Sequence, residues 1–232
     1  MLESEPIMNQ SRKFPDTDVS ITNAQLRMTL LAIRAVLHNK GVVLALAAIG
    51  KKDLSLKSMS ENFQPAMNPV EYANLFAHIK INPQFNSGNL VNPAGETLLT
   101  SIGRAYFREI LNQNQKMTGL FKTFLSLWGE EKRVRFVLQS LVSLQKKIIL
   151  FSEPSLREED GRFIFNDYTC PYCEGQRSEK DPICEFSEGL FREAIFWATG
   201  EEYTIEETHC RARGDESCRY SISRFPTQAS TN

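Results

Sequence analysis

The sequence predicts an α+β fold, with a helical N-terminal half leading into an antiparallel sheet flanked by helices. Three observations predict it. Apolar residues recur at helical spacing through the first two thirds of the chain. From residue 148 onward the composition turns to β-branched and aromatic runs separated by glycine turns. All five cysteines fall between Cys170 and Cys218, so thiol chemistry is confined to the sheet region and can staple its terminal hairpin.

The elements follow in order. Residues 1–19 are polar and aperiodic, and a flexible tail is expected. Ser20 or Thr22 can cap a helix with Leu26, Leu30, Ile33 and Leu37 on one face. His38-Asn39-Lys40-Gly41 reads as its stop, with Gly41 suited to a left-handed cap. Val42 to Ile49 is apolar nearly all round and predicts a buried second helix, with loop over 51–66. Asn68-Pro69 starts a helix through Leu75 and Ile79, proline being tolerated in the first turn. Asn82 to Gly95 is rich in Asn, Pro and Gly and predicts a long irregular loop. Leu98, Ile102, Tyr106 and Ile110 share a helix face, with Gly103 beside them permitting close approach of a neighbour. Met117 to Lys147 predicts two helices broken at Trp128-Gly129.

Ile148 to Phe151 and Arg162 to Phe165 predict strands joined by the acidic turn Glu158-Glu159-Asp160-Gly161. Phe186, Leu190, Ala194 and Trp197 mark a helix ending at Gly200. Tyr203 to His209 and Cys218 to Ser223 predict a final strand pair turning at Gly214-Asp215. One domain over 20–226 is expected, helical to 147 and sheet-forming and cysteine-rich after it, with 227–232 a second tail.

Charge narrows the function classes. With 27 basic and 28 acidic side chains in 232 residues, no global field recruits nucleic acid or anionic lipid. The N-terminus shows no basic region followed by an apolar core, so no secretory signal is read. The longest apolar run, Thr29 to Gly50, is interrupted by Arg34, His38 and Lys40, which argues against membrane insertion. A cytoplasmic protein with reduced thiols is expected, and an odd cysteine count argues against a full set of disulfides.

The cysteines admit three readings. A metal site can use Cys184, Glu207, Cys210 and Cys218; another can use Cys170 and Cys173 as a knuckle with Cys210 and Cys218; or the thiols are small buried hydrophobes without a metal. Alternation along the strands favours an inward Glu207, a costly place for a carboxylate unless a cation compensates it. The same alternation puts Cys210 on the opposite face, so a bulge at Thr208-His209 is required for both to reach one ion. His209 falls on the Glu207 face and is an alternative ligand. Cys170-Pro171-Tyr172-Cys173 matches a glutaredoxin tetrapeptide, but a charged loop follows where that chemistry needs a helix N-terminus. Arg213-Gly214-Asp215 reads as a turn. No residues assemble a catalytic constellation.

Cys184, the Gly189 to Ala194 helix, Trp197-Ala198-Thr199-Gly200, the Glu207 to Asp215 segment and Cys218-Arg219-Tyr220 together resemble the 4-vinyl reductase domain. The similarity is firm over 160–223 and looser upstream, through Leu26 to Gly50 and Ile102 to Phe107. It implies a fold shared with TRAPP-complex subunits, with an apolar pocket between sheet and helices. It also implies zinc on Cys184, Glu207, Cys210 and Cys218, and leaves Cys170 and Cys173 without a role. Family members sense aromatic compounds or are linked to bacteriochlorophyll synthesis. The stretch after Cys218 is too short for an ATPase or DNA-binding output, so a one-component transcription factor is not expected.

The expected function is a zinc-stabilised, non-enzymatic module for a hydrophobic or aromatic ligand such as a tetrapyrrole, with Tyr106, Trp128, Phe191 and Trp197 as candidate lining residues. The alternatives are an enzyme or subunit of porphyrin vinyl reduction, disfavoured by the lack of a nucleotide or flavin fingerprint, and a homodimeric scaffold.

Overall fold

The computed structural model describes residues 19–82, 84–85 and 96–227. The expected tails and most of the expected Asn82 to Gly95 loop lie outside the described residues. The architecture is α+β, as the sequence predicts. Strand β1 (Ser20–Thr22) leads into helix α1 (Asn23–Ala48), followed by β2 (Pro65–Met67) and α2 (Pro69–Ile81). Helices α3 (Leu98–Gln113), α4 (Gln115–Ser126) and α5 (Glu130–Ile148) come next. Then follow β3 (Ile149–Leu150), β4 (Pro154–Glu159), β5 (Arg162–Asp167), α6 (Glu185–Thr199), β6 (Tyr203–His209) and β7 (Cys218–Pro226). The main sheet is antiparallel in the order β4-β5-β7-β6, and a small one runs β2-β1-β3.

Local chemistry places the termini. Thr22 caps α1, its hydroxyl accepting the Gln25 N–H at 3.2 Å while donating to the Ile148 carbonyl at 2.6 Å. Asn68 caps α2 through the Glu71 N–H at 2.8 Å, with Pro69 in the first turn. Asp160 and Gly161 both take positive φ, 48° and 71°, the pair that a two-residue hairpin between β4 and β5 requires.

Three expectations are corrected. The stop at His38 to Gly41 is a kink inside α1, and the left-handed residue is His38 (φ 58°), not Gly41. Gly41 serves packing instead: a Cβ there would lie 2.2 Å from Leu37 Cβ. The segment beyond the kink is buried on one side only, through Val42, Ala45 and Leu46, while Val43 is exposed. Finally, the Ile148 to Phe151 segment does not pair with Arg162 to Phe165; β3 pairs with β1, and the hairpin partner of β5 is β4. Helix α1 is long and apolar enough to cross a membrane by composition, yet half of that window is buried within the protein.

The seam that fixes the fold is the crossing of α3 and α6. A Cβ on Gly103 would lie 2.0 Å from the Phe186 carbonyl oxygen, and one on Gly189 would lie 2.0 Å from that of Thr100. Each helix thus presents bare backbone to the other. At the same crossing, Arg104 pairs with Glu96, Glu193 and Glu202, and Arg108 forms a two-point pair with Glu193.

Candidate metal centre and apolar groove

The start of α6, the β6–β7 connection and the loop after β5 bring all five thiols and Glu207 together, each buried. The Sγ separations are 3.7 Å for Cys170–Cys184, 3.4 Å for Cys173–Cys218, 3.9 Å for Cys184–Cys210 and 3.7 Å for Cys184–Cys218. A tetrahedral ion with thiolate bonds of about 2.3 Å spaces its sulfurs about 3.8 Å apart. The cluster already has that spacing. Two overlapping four-donor groups emerge, Cys170, Cys173, Cys184 and Cys218, and Cys184, Glu207, Cys210 and Cys218, with donor atoms in each mutually within 4.8 Å. The knuckle of the sequence reading therefore completes with Cys184, not Cys210.

The bulge required between Glu207 and Cys210 is present, since the β6–β7 register shifts between Glu207 and His209. It turns Cys210 inward and His209 outward, so the alternation argument that put His209 beside Glu207 fails at the bulge. His209 instead contacts the Thr208 hydroxyl through Nδ1 at 3.0 Å. Backbone and ionic contacts lock the surrounding loops. Asp215 accepts the Cys210 N–H at 2.7 Å, giving the Arg213-Gly214-Asp215 turn a structural task. Arg211 pairs with Glu174, tying the knuckle loop to the hairpin end, and its N–H approaches Cys218 Sγ at 3.5 Å.

The electrostatics call for a cation. Burial, reinforced by Cys210, pushes the Glu207 carboxyl up to about 9. Its Oε2 accepts the Cys184 N–H at 2.9 Å, whereas Oε1 is buried without a hydrogen-bond partner. Burial also pushes the Cys170 thiol up, while hydrogen bonds from Cys170 and the other thiols hold Cys173 well below the usual thiol range. Closely packed soft donors with an orphaned carboxylate oxygen fit a thiophilic divalent ion.

The four candidate aromatics are placed separately. Tyr106 and Phe191 line a small interior cavity of about 20 Å³, together with Tyr172, Phe165 and Leu190. Trp197 lies on an outer groove of about 320 Å³ with Phe107, Ile110, Phe121, Phe136 and Leu144. Trp128 stands outside that groove, edge-on to Phe136 at 5.6 Å. The space between sheet and helices is filled by the protein's own rings: Phe186 contacts Phe76, Tyr172 and Tyr106 at centroid distances of 4.9, 4.9 and 5.4 Å. Tyr172, lying between the two knuckle cysteines, joins the metal-binding end to this interior.

One buried polar network escapes the sequence reading. Gln25 donates to the Tyr72 hydroxyl at 2.6 Å and accepts from that of Tyr106, and Thr29 meets the Tyr72 hydroxyl at 2.6 Å. Its signal is present: Gln25 and Thr29 are polar residues one helical turn apart next to the apolar stripe of α1.

The fold has solved counterparts among H-NOX proteins. A doubly substituted Tt H-NOX superposes with a TM-score of 0.51 at 14% identity, covering 91% of this chain and 100% of its own. A structure concerned with heme redox potential and porphyrin distortion gives 0.51 at 13% identity, over 87% of this chain and 98% of its own. An H-NOX protein from S. oneidensis in the Fe(II)NO ligation state gives 0.50 at 12%, over 85% and 97%. At such identities the likeness is one of fold. The family is set by the site region: residues 164–224 match the 4-vinyl reductase domain, and the chain carries that domain there, as the resemblance implied. No curated protein matches in sequence.

Proposed function

We propose that the protein is a zinc-stabilised, non-enzymatic module that binds a hydrophobic or aromatic small molecule in the cytoplasm. The observation that carries the reading is the outer groove of about 320 Å³, walled by α3, α4, α5 and Trp197 of α6 and lined almost wholly by aromatic and aliphatic side chains. That volume is at the lower end for small-molecule sites, about 300–1,000 Å³. The 4-vinyl reductase domain match and the ligand-holding H-NOX neighbours support it. Zinc would clamp the last hairpin to α6, and a full set of thiolate and carboxylate ligands leaves it no open position for chemistry.

The interior cavity, at about 20 Å³, has room for about one water molecule. Heme ligation does not fit the groove, because neither His nor Cys is among its lining residues. A tetrapyrrole there would be held by its ring faces alone, with Phe136 and Trp197 the stacking partners.

Native mass spectrometry of protein purified without chelators tests the reading. Zinc plus a retained apolar mass is expected, displaced in proportion by an apolar fluorescent probe and weakened about tenfold by Trp197→Ala. Metal-bound protein that binds neither probe nor porphyrin would sink it. Exposed Leu120, Phe124 and Leu127 in and just after α4 favour a second reading as a dimeric scaffold. A dimer insensitive to apolar ligands, broken by Phe124→Glu, would select that reading.

A further inference from the structure

We propose that the cysteine cluster is built for two metal ions sharing Cys184 and Cys218 as bridging thiolates, an inference that rests on the cluster being a metal centre. The two four-donor groups have Cys184 and Cys218 in common and differ in the remaining pair, Cys170 with Cys173 or Glu207 with Cys210. Two tetrahedra sharing one edge have this composition. The shared edge is 3.7 Å long, and the flanking separations of 3.7, 3.4 and 3.9 Å are also tetrahedral edges.

A single ion leaves the cluster unfinished whichever group it chooses. In the group with Glu207, Cys170 and Cys173 stay as thiols, 1% and 2% exposed, against coordinated sulfurs. In the other group, Cys210 and Glu207 remain, and Glu207 Oε1 keeps its burial without a partner. Two ions give every donor a cation. A thiolate has the lone pairs to bind two ions at once, so Cys184 and Cys218 can each bridge.

Charge points the same way. Five thiolates and one carboxylate against two divalent cations leave two net negative charges, and against one cation they leave four. The smaller excess suits a pocket where one N–H, from Arg211, approaches Cys218 Sγ, and where the Arg211 guanidinium stands beside the knuckle through Glu174. Bonds of about 2.3 Å to both ends of the shared edge put the two ions on the order of 3 Å apart. The soft donor set selects zinc or another thiophilic divalent metal.

The test loads the full chain with Zn²⁺ under anaerobic conditions, removes excess by gel filtration, and counts metal per chain by elemental analysis. The same protein is then exchanged with ¹¹³Cd for NMR. Two ions per chain and two coupled ¹¹³Cd resonances are expected. Cys170→Ser with Cys173→Ser, or Glu207→Gln with Cys210→Ser, should each retain one ion. Saturation at one ion per chain, with a single resonance, overturns the pair and leaves the single-zinc reading standing. No bound metal overturns both. Iron with acid-labile sulfide overturns thiolate bridging in favour of a sulfide-bridged cluster. The wild-type count and spectrum decide the question even where a variant fails to fold.

Discussion

The cysteine-lined end of the sheet and the apolar groove on the helical side do their work by opposite means. At the first, six uncommon donors are packed to about van der Waals distance, and their chemistry would remain recognisable if the surrounding loops were redrawn. At the second, ordinary core residues (Phe107, Ile110, Phe136, Leu144 and Trp197) enclose a space whose meaning lies wholly in its shape. Function that depends on donor type is written residue by residue, while function that depends on concavity is written only in how helices happen to meet.

The contrast can be broken where it is sharpest. Cys184→Ser or Cys218→Ser removes a sulfur common to both donor groups and should cost more than about 4 kcal/mol, since metal affinity in such a site is folding energy. Calorimetry and metal counting on the same sample would check it; a variant that keeps its melting temperature would show that the cluster holds nothing up. Next comes the seam joining the two regions. Gly103→Ala or Gly189→Ala forces a methyl onto a backbone carbonyl and should cost about 3 kcal/mol. Urea unfolding measures this, and a loss below about 1 kcal/mol would mean that the helices separate freely.

A smaller effect separates the regions by pH. Asp167 accepts from Gln145 of α5 at 2.6 Å and from the Thr169 N–H at 3.0 Å, yet burial pushes its carboxyl up from 3.8 to about 6. The folded state then holds the proton more tightly than the unfolded one. Its contribution is fully present below pH 3.8 and is lost as pH rises through about 6. Asp167→Asn should remove this fall, on the order of 2 kcal/mol, from stability curves across that window. Parallel curves for variant and wild type would refute the assignment. Smallest of all, His209→Ala should leave metal content unchanged and shift stability by under about 0.5 kcal/mol, because its ring points away from the cluster. Loss of zinc would restore it as a ligand.

Legibility in the sequence follows the same divide. Helices α2, α3, α5 and α6 are readable from period and caps, and the need for a bulge before Cys210 follows from alternation alone. The β1, β2 and β3 strands are not readable, because two or three residues carry no period. Gly103 stands out for close approach, but Gly189 does not, since reciprocity between two helices is a tertiary fact. The four aromatics can be identified as large and apolar, whereas their dispersal over a cavity, a groove and an exposed corner depends on helix crossings that no local pattern encodes.

The glycine seam also bears on where this molecule can be divided. The family match begins inside β5 and takes in α6, yet α3, which meets α6 backbone to backbone, and β4, which hydrogen-bonds to β5, both precede it. A fragment cut at residue 164 would carry the family's recognisable text while exposing a bare helix ridge and an open strand edge. Modularity in sequence is here finer-grained than modularity in folding, and the smallest autonomous piece of this protein must include the helical half.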